Sequence, residues 1–307
     1  MENKINVLTT TSSYNFSDYP DSINLVKNPH KRKLTENETI ELLKEYAPAG
    51  LIAGVESLTE EVLQEAPGLK VISRCGIDLY SIDLKAAKRL GIIVSGTHVA
   101  PDIPAAELTI TMIMGLLRKI RLLDDLVRKN QWERKVTDLL YGKTVGIIGC
   151  GIRGTRVSSI LPPFGCQLLG YDPDVRRHQY CEMVNFDHLL ENSDIITLHL
   201  PLTQDNYHLI GDVEIDKMKN GVILINTSRC GLIDEDALVD GLKSNKVGGA
   251  GIDVFETEPY TGPLINFPEN TILTPHISSH AGTYRYDIEK ETMQNLIDGL
   301  RKQGVDL

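Results

Sequence analysis

Three polar side chains occupy matching places in the C-terminal half of the chain, each just after an apolar run that reads as a β-strand. They are Arg229, Glu258 and His276. Histidine exchanges protons near neutral pH, a carboxylate stabilises an imidazolium ion, and a guanidinium pairs with a carboxylate through two hydrogen bonds. In an open parallel sheet, the carboxyl ends of the strands face the ligand crevice. We therefore expect the three side chains to act together on one bound ligand.

A glycine-rich turn precedes these residues in the chain. The segment 143–172 reads KTVGIIGCGIRGTRVSSILPPFGCQLLGYD: an apolar strand, a glycine turn, a helix, a second strand and an acid. Gly149, Gly151 and Gly154, with Asp172 about 20 residues beyond the turn, have the spacing of a dinucleotide site. The first glycine would make the tight turn, the second would admit a diphosphate, and the third would let helix and strand pack closely. A βα turn without a ligand is the alternative, and the flanking elements disfavour it.

The residues around this turn favour NAD over NADP. A carboxylate at Asp172 can accept hydrogen bonds from ribose hydroxyls and would repel a 2′-phosphate. The basic cluster 176–178 could attract such a phosphate, but it follows the acid. Ile152 and Arg153 fill the variable positions of the turn and are expected at the cofactor, with Arg153 either reaching a phosphate or facing solvent.

Length and composition describe a globular protein of two domains. With 307 residues, the chain exceeds the size at which one core usually divides. Its net charge of −10 argues against nucleic acid and anionic membranes as partners. The five cysteines form no C-x-x-C pair, no apolar run reaches the length of a membrane span, and the N-terminus has no signal-peptide pattern. We expect a cytoplasmic protein, and no metal site, since no His, Cys and carboxylate cluster has metal-ligand spacing.

Hydrophobic periodicity predicts a first domain in which strands and helices alternate. Strands are expected at 4–10, 50–55, 69–74 and 92–95, helices at 36–45, 60–66 and 82–90, and a loop at 12–32. Beyond Pro101 and Pro104, a single helix over 105–128 is apolar on most of its circumference. That pattern predicts burial between domains or between subunits.

The rest of the chain predicts a second domain of the same class. Strands are expected at 144–148, 167–171, 194–198, 221–226, 249–254 and 271–274, and helices at 155–161, 213–218 and 234–243. A last helix, 283–301, is long enough to return to the first domain. The prediction is a two-domain α/β protein: a Rossmann-type dinucleotide-binding domain over 99–280, and a smaller flavodoxin-like parallel α/β substrate domain over 1–98 and 281–307.

Five segments resemble, in order and spacing, the D-isomer-specific 2-hydroxyacid dehydrogenase family, most closely its phosphoglycerate dehydrogenase-like branch. They are GIIGCGIRG with YDP, LHLPLT, NTSRCGLIDEDAL, GIDVFETEP and TPHIS. The resemblance implies an NAD-dependent oxidoreductase that moves hydride between the nicotinamide and a D-2-hydroxy acid or 2-oxo acid. It also implies that the two domains close over the substrate and that the helix region 105–128 builds a homodimer.

The same resemblance implies roles for single residues. Arg229, Glu258 and His276 become the catalytic triad: His276 is the acid–base group, Glu258 stabilises its imidazolium, and Arg229 holds the substrate carboxylate. Asp253 is assigned to the nicotinamide amide. Further cofactor contacts are expected at Pro201, Thr203, Thr227 and Ser279. His199, within LHLPLT, is expected instead to be a buried histidine bonded to the backbone.

The implied substrate loop departs from the family pattern. The family has Arg-x-Gly-x-Gly followed by Asp-Asn, whereas the segment 74–81 reads RCGIDLYS. The implied substrate contacts are Arg74, Gly76, Ile77 and Asp78, together with Arg229. An acid at Asp78 would repel an anion if it pointed inward, and Tyr80, Pro101 and Pro104 stand where the family commonly has other residues. The loop 52–58, IAGVESL, lacks the phosphate-binding Arg of many phosphoglycerate-specific relatives.

These departures leave the substrate open. A 3-phosphoglycerate-like acid is one possibility. Within enzymes, the alternative is a glyoxylate/hydroxypyruvate reductase or a specialised biosynthetic dehydrogenase. The alternative of another class is a non-catalytic NAD(H)-sensing binding protein, against which the complete set of Arg229, Glu258 and His276 argues.

Overall fold

A computed structural model describes residues 4–12, 14–77, 79–98 and 102–307. Two residues singled out above, Asp78 and Pro101, lie outside the described residues. The chain divides into two compact units: Met1–Ala100 with Ala281–Leu307, and Pro101–His280. None of the helices in the described ranges combines the length and the apolar character needed to cross a membrane.

The first unit is built on a five-stranded sheet in which every strand is parallel to its neighbours. The strands are β1 (Ile5–Thr9), β2 (Ile23–Lys27), β3 (Gly50–Ala53), β4 (Val71–Arg74) and β5 (Ile93–Ser95). Their order, β2-β1-β3-β4-β5, is the flavodoxin-like order. The predicted fold class of this part of the chain is therefore confirmed.

Three helices connect these strands, and each begins at a side chain that accepts a backbone N–H. They are α1 (Glu36–Tyr46), α2 (Glu60–Gln64) and α3 (Leu84–Arg89). Thr35 forms a capping box with Glu38, Thr59 accepts from the Val62 N–H, and Asp83 accepts from two N–H groups of α3. Their buried faces join β1, β3 and β4 in one hydrophobic core.

Strand β2 corrects the prediction of a loop over 12–32. It lies at the edge of the sheet and pairs with β1 alone. A strand with one neighbour needs little apolar sequence, and only Ile23 of its five residues is buried. The sequence of this strand gives only a weak strand signal, so the flanking Pro20 and Pro29 favoured the prediction of a loop.

The second unit contains a seven-stranded, all-parallel sheet. Its strands are β6 (Thr144–Ile148), β7 (Gln167–Tyr171), β8 (Glu182–Met183), β9 (Ile195–Leu198), β10 (Val222–Asn226), β11 (Val247–Ile252) and β12 (Thr271–Leu273). The order is β12-β11-β10-β9-β6-β7-β8. This is the Rossmann order. From β6, successive strands of the chain are added first on one side of the sheet (β7, β8) and then on the other (β9 to β12). Such sheets bind ligands at this switch point, beyond the carboxyl ends of their strands.

The described residues of the second unit include six α-helices. They are α4 (Asp102–Leu117), α5 (Ile120–Arg128), α6 (Ile152–Ile160), α7 (Phe186–Asn192), α8 (Asp212–Lys217) and α9 (Glu235–Lys243). Short 3₁₀ helices occur at Pro162–Phe164, Cys230–Leu232 and Pro263–Asn266. The seven-residue α7 and the two-residue β8 were not predicted, because each offers too few periodic apolar positions. Helix α6 begins at Ile152, three residues before the predicted start.

The helix predicted over 105–128 is two helices, which corrects that prediction. Lys119 has a φ of +48°, a left-handed backbone that ends α4 and begins α5. Helix α4 also starts before Pro104, because a proline in the first turn removes only an N–H that has no partner within the helix. Buried residues line α4, whereas α5 has none within the single chain, so the burial of the second half between subunits stays a prediction.

The last helix, α10 (Gly282–Lys302), belongs to the first unit. It packs against β3, β4 and β5. Ser73 donates its hydroxyl hydrogen to the carbonyl of Thr292 at 2.7 Å. Leu296 and Leu300, both fully buried, join Val7, Ile52 and Val71 in the second core of this unit.

Candidate active site

The glycine turn leads from β6 into α6, and two of its glycines have no room for a side chain. Gly149 has a φ of +97°, and a Cβ there would lie 2.6 Å from backbone atoms of His199 and Leu200. A Cβ on Gly154 would lie 1.9 Å from the carbonyl oxygen of Gly149. The turn and the close contact of helix and strand therefore both require glycine.

Gly151 differs from these two, because a Cβ on it would meet no atom within 4 Å. It is the N-cap residue of α6, and no side chain caps the helix there. The free N–H groups and the dipole of a helix N-terminus attract an anion. The open space at Gly151 is thus where a diphosphate could approach the backbone.

Asp172, just beyond β7, is held by backbone N–H groups. One carboxylate oxygen accepts from Cys150 at 2.7 Å, and the other accepts from Asp174 at 2.9 Å and Val175 at 3.1 Å. A carboxylate offers about four acceptor positions, so one remains on the oxygen that bonds to Cys150. The acid is thereby fixed beside the glycine turn.

The other residues of the turn are a hydrophobic side chain, an arginine and a thiol. Ile152 is 68% exposed. Arg153 lies close enough to His199 to contribute to lowering its pKa. A hydrogen bond with Cys181, together with burial, raises the pKa of the Cys150 thiol. Cys150 is therefore a packed, unreactive thiol rather than a nucleophile.

His199 follows β9 and is buried, as predicted. Burial, with a smaller effect of Arg153, lowers its pKa to about 3. Its Nε2 lies 3.0 Å from the hydroxyl of Thr197, so its partner is a side chain and not the predicted backbone group. Its own backbone N–H donates to Ile148, linking β9 to the start of the glycine turn.

Arg229 projects from a turn that Asn226 and Ser228 hold. The Asn226 amide donates to the Arg229 carbonyl at 2.8 Å and accepts from the Ser228 N–H at 3.0 Å. Ser228 donates its hydroxyl hydrogen to Leu200, beside the next strand of the sheet. The Arg229 guanidinium donates to the Ser228 carbonyl at 2.8 Å. Asn226 was missed at the sequence level, and its place before a predicted site residue was the available signal.

Glu258 and His276 meet directly. Nδ1 of His276 lies 3.2 Å from one oxygen of Glu258 and 3.4 Å from the other. The same carboxylate accepts from the N–H of Phe255 at 3.3 Å. The His276 side chain is 42% exposed. Its backbone φ of +54° lies in the left-handed region, which costs a residue other than glycine about 1–2 kcal/mol.

Asp253 follows β11 and is fully buried. Its carboxylate accepts from the Thr274 hydroxyl at 2.5 Å and from the N–H groups of Ile277 at 2.8 Å and Ser278 at 2.9 Å. These three residues surround His276 in the chain. Its assignment to the nicotinamide amide stays a prediction.

The remaining predicted cofactor residues differ in exposure. Thr227 is buried, with its hydroxyl 2.9 Å from that of Thr109 on α4. Pro201 and Thr203 are exposed and form a turn closed by hydrogen bonds to Asn206. Ser279 is partly exposed, and its hydroxyl lies 3.4 Å from His280 Nδ1.

The predicted substrate loop follows β4 in the first unit. Gly76 has a φ of +135°, and its carbonyl accepts from the Thr97 N–H at 3.0 Å. Arg74 donates through Nη1 to the carbonyl of Cys75, while its Nε is buried without a hydrogen-bond partner among the described residues. Ile77 is 43% exposed and Tyr80 is 75% exposed. The loop thus presents an arginine beside a glycine backbone.

Comparison with known proteins identifies the family. The family model described as "D-isomer specific 2-hydroxyacid dehydrogenase, NAD binding domain" matches residues 110–278. The chain belongs to this family. It is 34% identical over 255 residues to a glyoxylate reductase of Thermococcus litoralis, covering 79% of this chain and 77% of that protein. It is 34% identical over 276 residues to a D-3-phosphoglycerate dehydrogenase of Synechocystis sp., covering 88% of this chain and 50% of the relative.

A solved relative has the same two-domain fold. The D-lactate dehydrogenase of Aquifex aeolicus, determined with NAD and lactic acid, superposes with a TM-score of 0.77 at 29% identity, covering 97% of this chain and 96% of that one. The chain spans about half the length of the first curated relatives that it matches. The predicted family and fold class are confirmed.

The NAD-binding domain of this chain fits its cofactor on structural grounds. The backbone is open at Gly151, where a diphosphate would approach, and the fixed carboxylate of Asp172 suits a ribose hydroxyl and would repel a 2′-phosphate. Among the described residues, no group of three or more His, Cys, Asp or Glu side chains is arranged to bind a metal ion.

Proposed function

We propose that this dehydrogenase interconverts a small D-2-hydroxy acid and its 2-oxo acid. The observation that carries the proposal is the contact of His276 Nδ1 with Glu258 at 3.2 Å, in the same unit as the glycine turn and Arg229. An imidazole paired with a carboxylate on one nitrogen is an acid–base group at the other. NAD, when bound, supplies or accepts the hydride at its nicotinamide ring.

The proton passes through Nε2 of His276. In reduction, Nε2–H donates a proton to the carbonyl oxygen of the 2-oxo acid. In oxidation, Nε2 takes the proton from the hydroxyl group. Glu258 stays ionised and stabilises the imidazolium through Nδ1–H. Arg229 holds the substrate carboxylate through paired hydrogen bonds and polarises the carbonyl.

The first unit contributes substrate contacts. We assign Arg74, Gly76, Ile77 and Asp78 to this role, within a substrate domain of residues 1–98 and 281–307, and residues 99–280 to the NAD-binding domain. The unpartnered, buried Nε of Arg74 supports an anionic ligand, because a buried N–H without an acceptor is unfavourable. A 3-phosphoglycerate-like acid, glyoxylate and hydroxypyruvate all belong to the proposed substrate class.

The protein acts as a homodimer through the α4–α5 region in this proposal. Helix α5 has no buried residue, and its apolar stripe of Ile120, Leu123 and Val127 follows helical spacing. Ile120 is 58% exposed and Val127 is 54% exposed. An apolar stripe that its own chain leaves open marks a protein–protein contact.

Turnover measurements test the activity. NADH oxidation is followed with glyoxylate, pyruvate, hydroxypyruvate and 3-phosphohydroxypyruvate, and NADH affinity by fluorescence. His276→Ala should lower kcat by about 10²–10⁴-fold because it removes the acid–base group. Arg229→Ala should raise KM and lower kcat while the Kd for NADH stays unchanged. His188→Ala, which alters an exposed histidine on α7, serves as the control.

Three results would contradict parts of the proposal. NADH binding without turnover of any 2-oxo acid would identify a binding protein that senses the dinucleotide. An unchanged kcat in His276→Ala would remove His276 from proton transfer. Loss of NADH affinity alone in Arg229→Ala would place Arg229 at the cofactor instead of the substrate.

A further inference from the structure

A buried carboxyl group lies at the carboxyl end of β3 in the first unit. It belongs to Glu56, whose exposed fraction is 2%. One of its oxygens accepts from the Thr10 hydroxyl and from the Gly54 N–H, the latter at 3.0 Å. A Cβ on Gly54 would lie 2.7 Å from the other oxygen. The side chain of Glu56 is therefore folded back over the point where β1 and β3 end.

This point is the switch point of the first sheet. In the order β2-β1-β3-β4-β5, the chain adds β2 on one side of β1 and then β3, β4 and β5 on the other. Sheets of this order bind ligands in the crevice beyond the carboxyl ends of the strands, at the β1/β3 switch point. Glu56 thus brings an acid to the edge at which this unit is expected to meet its ligand.

Arg74 supplies the positive charge that acts on Glu56. It is the last residue of β4, which pairs with β3, so both side chains start from the same edge of the sheet. Burial raises the pKa of Glu56, whereas the Thr10 hydroxyl, backbone N–H groups and the charge of Arg74 act to lower it. The guanidinium thus stabilises the ionised form of the buried acid.

The charged groups around Arg74 and Glu56 balance one another. The thiol of Cys75 lies within electrostatic range of Arg74, Glu56 and Glu289, and Glu289 pairs with Arg285 at 3.3 Å. Two arginines and two acids leave no surplus positive charge among these residues. An anion that binds Arg74 therefore competes with Glu56 for the same guanidinium. The carboxylate of a 2-oxo acid brings one negative charge, and a phosphate group would add about 1.5–2 more.

This balance restricts the substrate. We propose that Glu56 is a specificity-determining residue, which excludes 2-oxo acids with a phosphate group at C3 and favours those with an uncharged side chain, such as hydroxypyruvate. The inference rests on the proposed function and narrows its substrate class. Repulsion between like charges is screened far less in a buried site than at the surface, and repulsion against the wrong ligand is an established source of specificity.

The test compares Glu56→Gln with Glu61→Gln. Glutamine keeps the size of the side chain and one oxygen that can accept from Thr10 and Gly54, but it carries no charge. Glu61 is an exposed acid of α2, so Glu61→Gln changes the net charge of the protein by the same amount at the surface. For each protein, kcat/KM is measured with NADH for hydroxypyruvate and for 3-phosphohydroxypyruvate.

The wild type should prefer hydroxypyruvate over 3-phosphohydroxypyruvate by at least about tenfold in kcat/KM. Glu56→Gln should reduce this preference by about tenfold or more, because it removes the repelling charge. Glu61→Gln should leave the preference within about twofold of the wild type, because solvent screens an exposed charge. Thr10→Val removes a hydrogen bond that favours the ionised acid, so it should reduce the preference by less, and it serves if Glu56→Gln does not fold.

Ligand binding without turnover separates this inference from the proposed activity. Calorimetry in the presence of NADH, where no hydride can be transferred to a hydroxy acid, gives the Kd values of D-glycerate and 3-phospho-D-glycerate. Glu56→Gln should tighten the binding of the phosphorylated acid relative to D-glycerate by about tenfold. If the wild type turns over no 2-oxo acid, the proposed activity fails while these Kd values still test Glu56. A wild type that binds both acids equally, or a ratio of Kd values that Glu56→Gln leaves unchanged, would overturn the specificity role.

Discussion

His199 illustrates how burial decides the behaviour of a single side chain next to the glycine turn. The imidazole is bonded to Thr197, and its pKa falls to about 3, so it stays neutral in the folded protein across the physiological range. In the unfolded chain, a histidine has a pKa of about 6.5. His199 is therefore a neutral structural group and is unsuited to acid–base catalysis near pH 7.

This difference predicts a pH-dependent stability. Between about pH 6.5 and 3 the unfolded chain binds a proton that folded His199 does not, so the free energy of unfolding decreases as the pH falls, by about 1.4 kcal/mol per pH unit. Above the unfolded pKa, His199 contributes no pH dependence. His199→Gln should lose this acid sensitivity, giving a decrease between pH 7.5 and 5 that is smaller by about 2 kcal/mol.

Urea unfolding of both proteins at several pH values measures the effect. His188→Ala, which removes an exposed histidine, should retain the wild-type dependence. If the unfolding free energies of the wild type and His199→Gln depend on pH in the same way, folded His199 binds a proton without unfolding, and the prediction is contradicted.

At the scale of elements, two glycines at the junction of β6 and α6 have different roles. Gly154→Ala places a Cβ 1.9 Å from the backbone oxygen of Gly149, and neither backbone segment is free to move aside. We expect a loss of about 1–3 kcal/mol in unfolding free energy, with NADH affinity lost as the helix shifts. Gly151→Ala meets no atom within 4 Å, so it should keep the stability and lose NADH affinity.

Thermal unfolding and NADH fluorescence of the two variants distinguish these effects. We expect Gly154→Ala to be destabilised and Gly151→Ala to keep its stability, and both variants to bind NADH poorly. Tight NADH binding by Gly151→Ala would contradict the placement of the diphosphate at this helix end.

The elements that the sequence predicted well are those with a strong local signal. The strand at Thr144–Ile148 and the second at Gln167–Tyr171 were placed to the residue, because buried parallel strands are continuous apolar runs. Strand β2 was missed since an edge strand buries one face only weakly. The break at Lys119 could not be predicted, because lysine carries no signal for a left-handed backbone.

The residues of the proposed site could be predicted from the sequence, but the hydrogen bonds that connect them could not. Arg229, Glu258 and His276 could be chosen from their positions after strands, and the structure brings Glu258 and His276 together. The bonds of Asp253 to Thr274, Ile277 and Ser278 depend on the paths of two loops, which periodicity does not encode.

At the scale of the whole molecule, the exposed stripe on α5 bears on assembly. Val127 of this stripe is exposed, and Asp125 lies on the polar face of the helix, paired with Lys129. If the proposed dimer forms through α4 and α5, Val127→Arg should convert it to a monomer, because a charge would be buried without a partner. Asp125→Arg should remain dimeric. Sedimentation velocity measures both, and a wild type that is monomeric at micromolar concentration would contradict the assignment.

If Asp172 contacts the ribose as proposed, the hydrogen bonds that hold its carboxylate have an entropic consequence for cofactor affinity. An ordinary surface carboxylate loses rotational freedom on binding a ligand, which costs about 0.5–1.5 kcal/mol for a mobile side chain. Asp172 is already immobilised by the N–H groups of Cys150, Asp174 and Val175. Folding has ordered this acid in advance, so a ribose hydroxyl that bonds to it keeps nearly the full free energy of the contact.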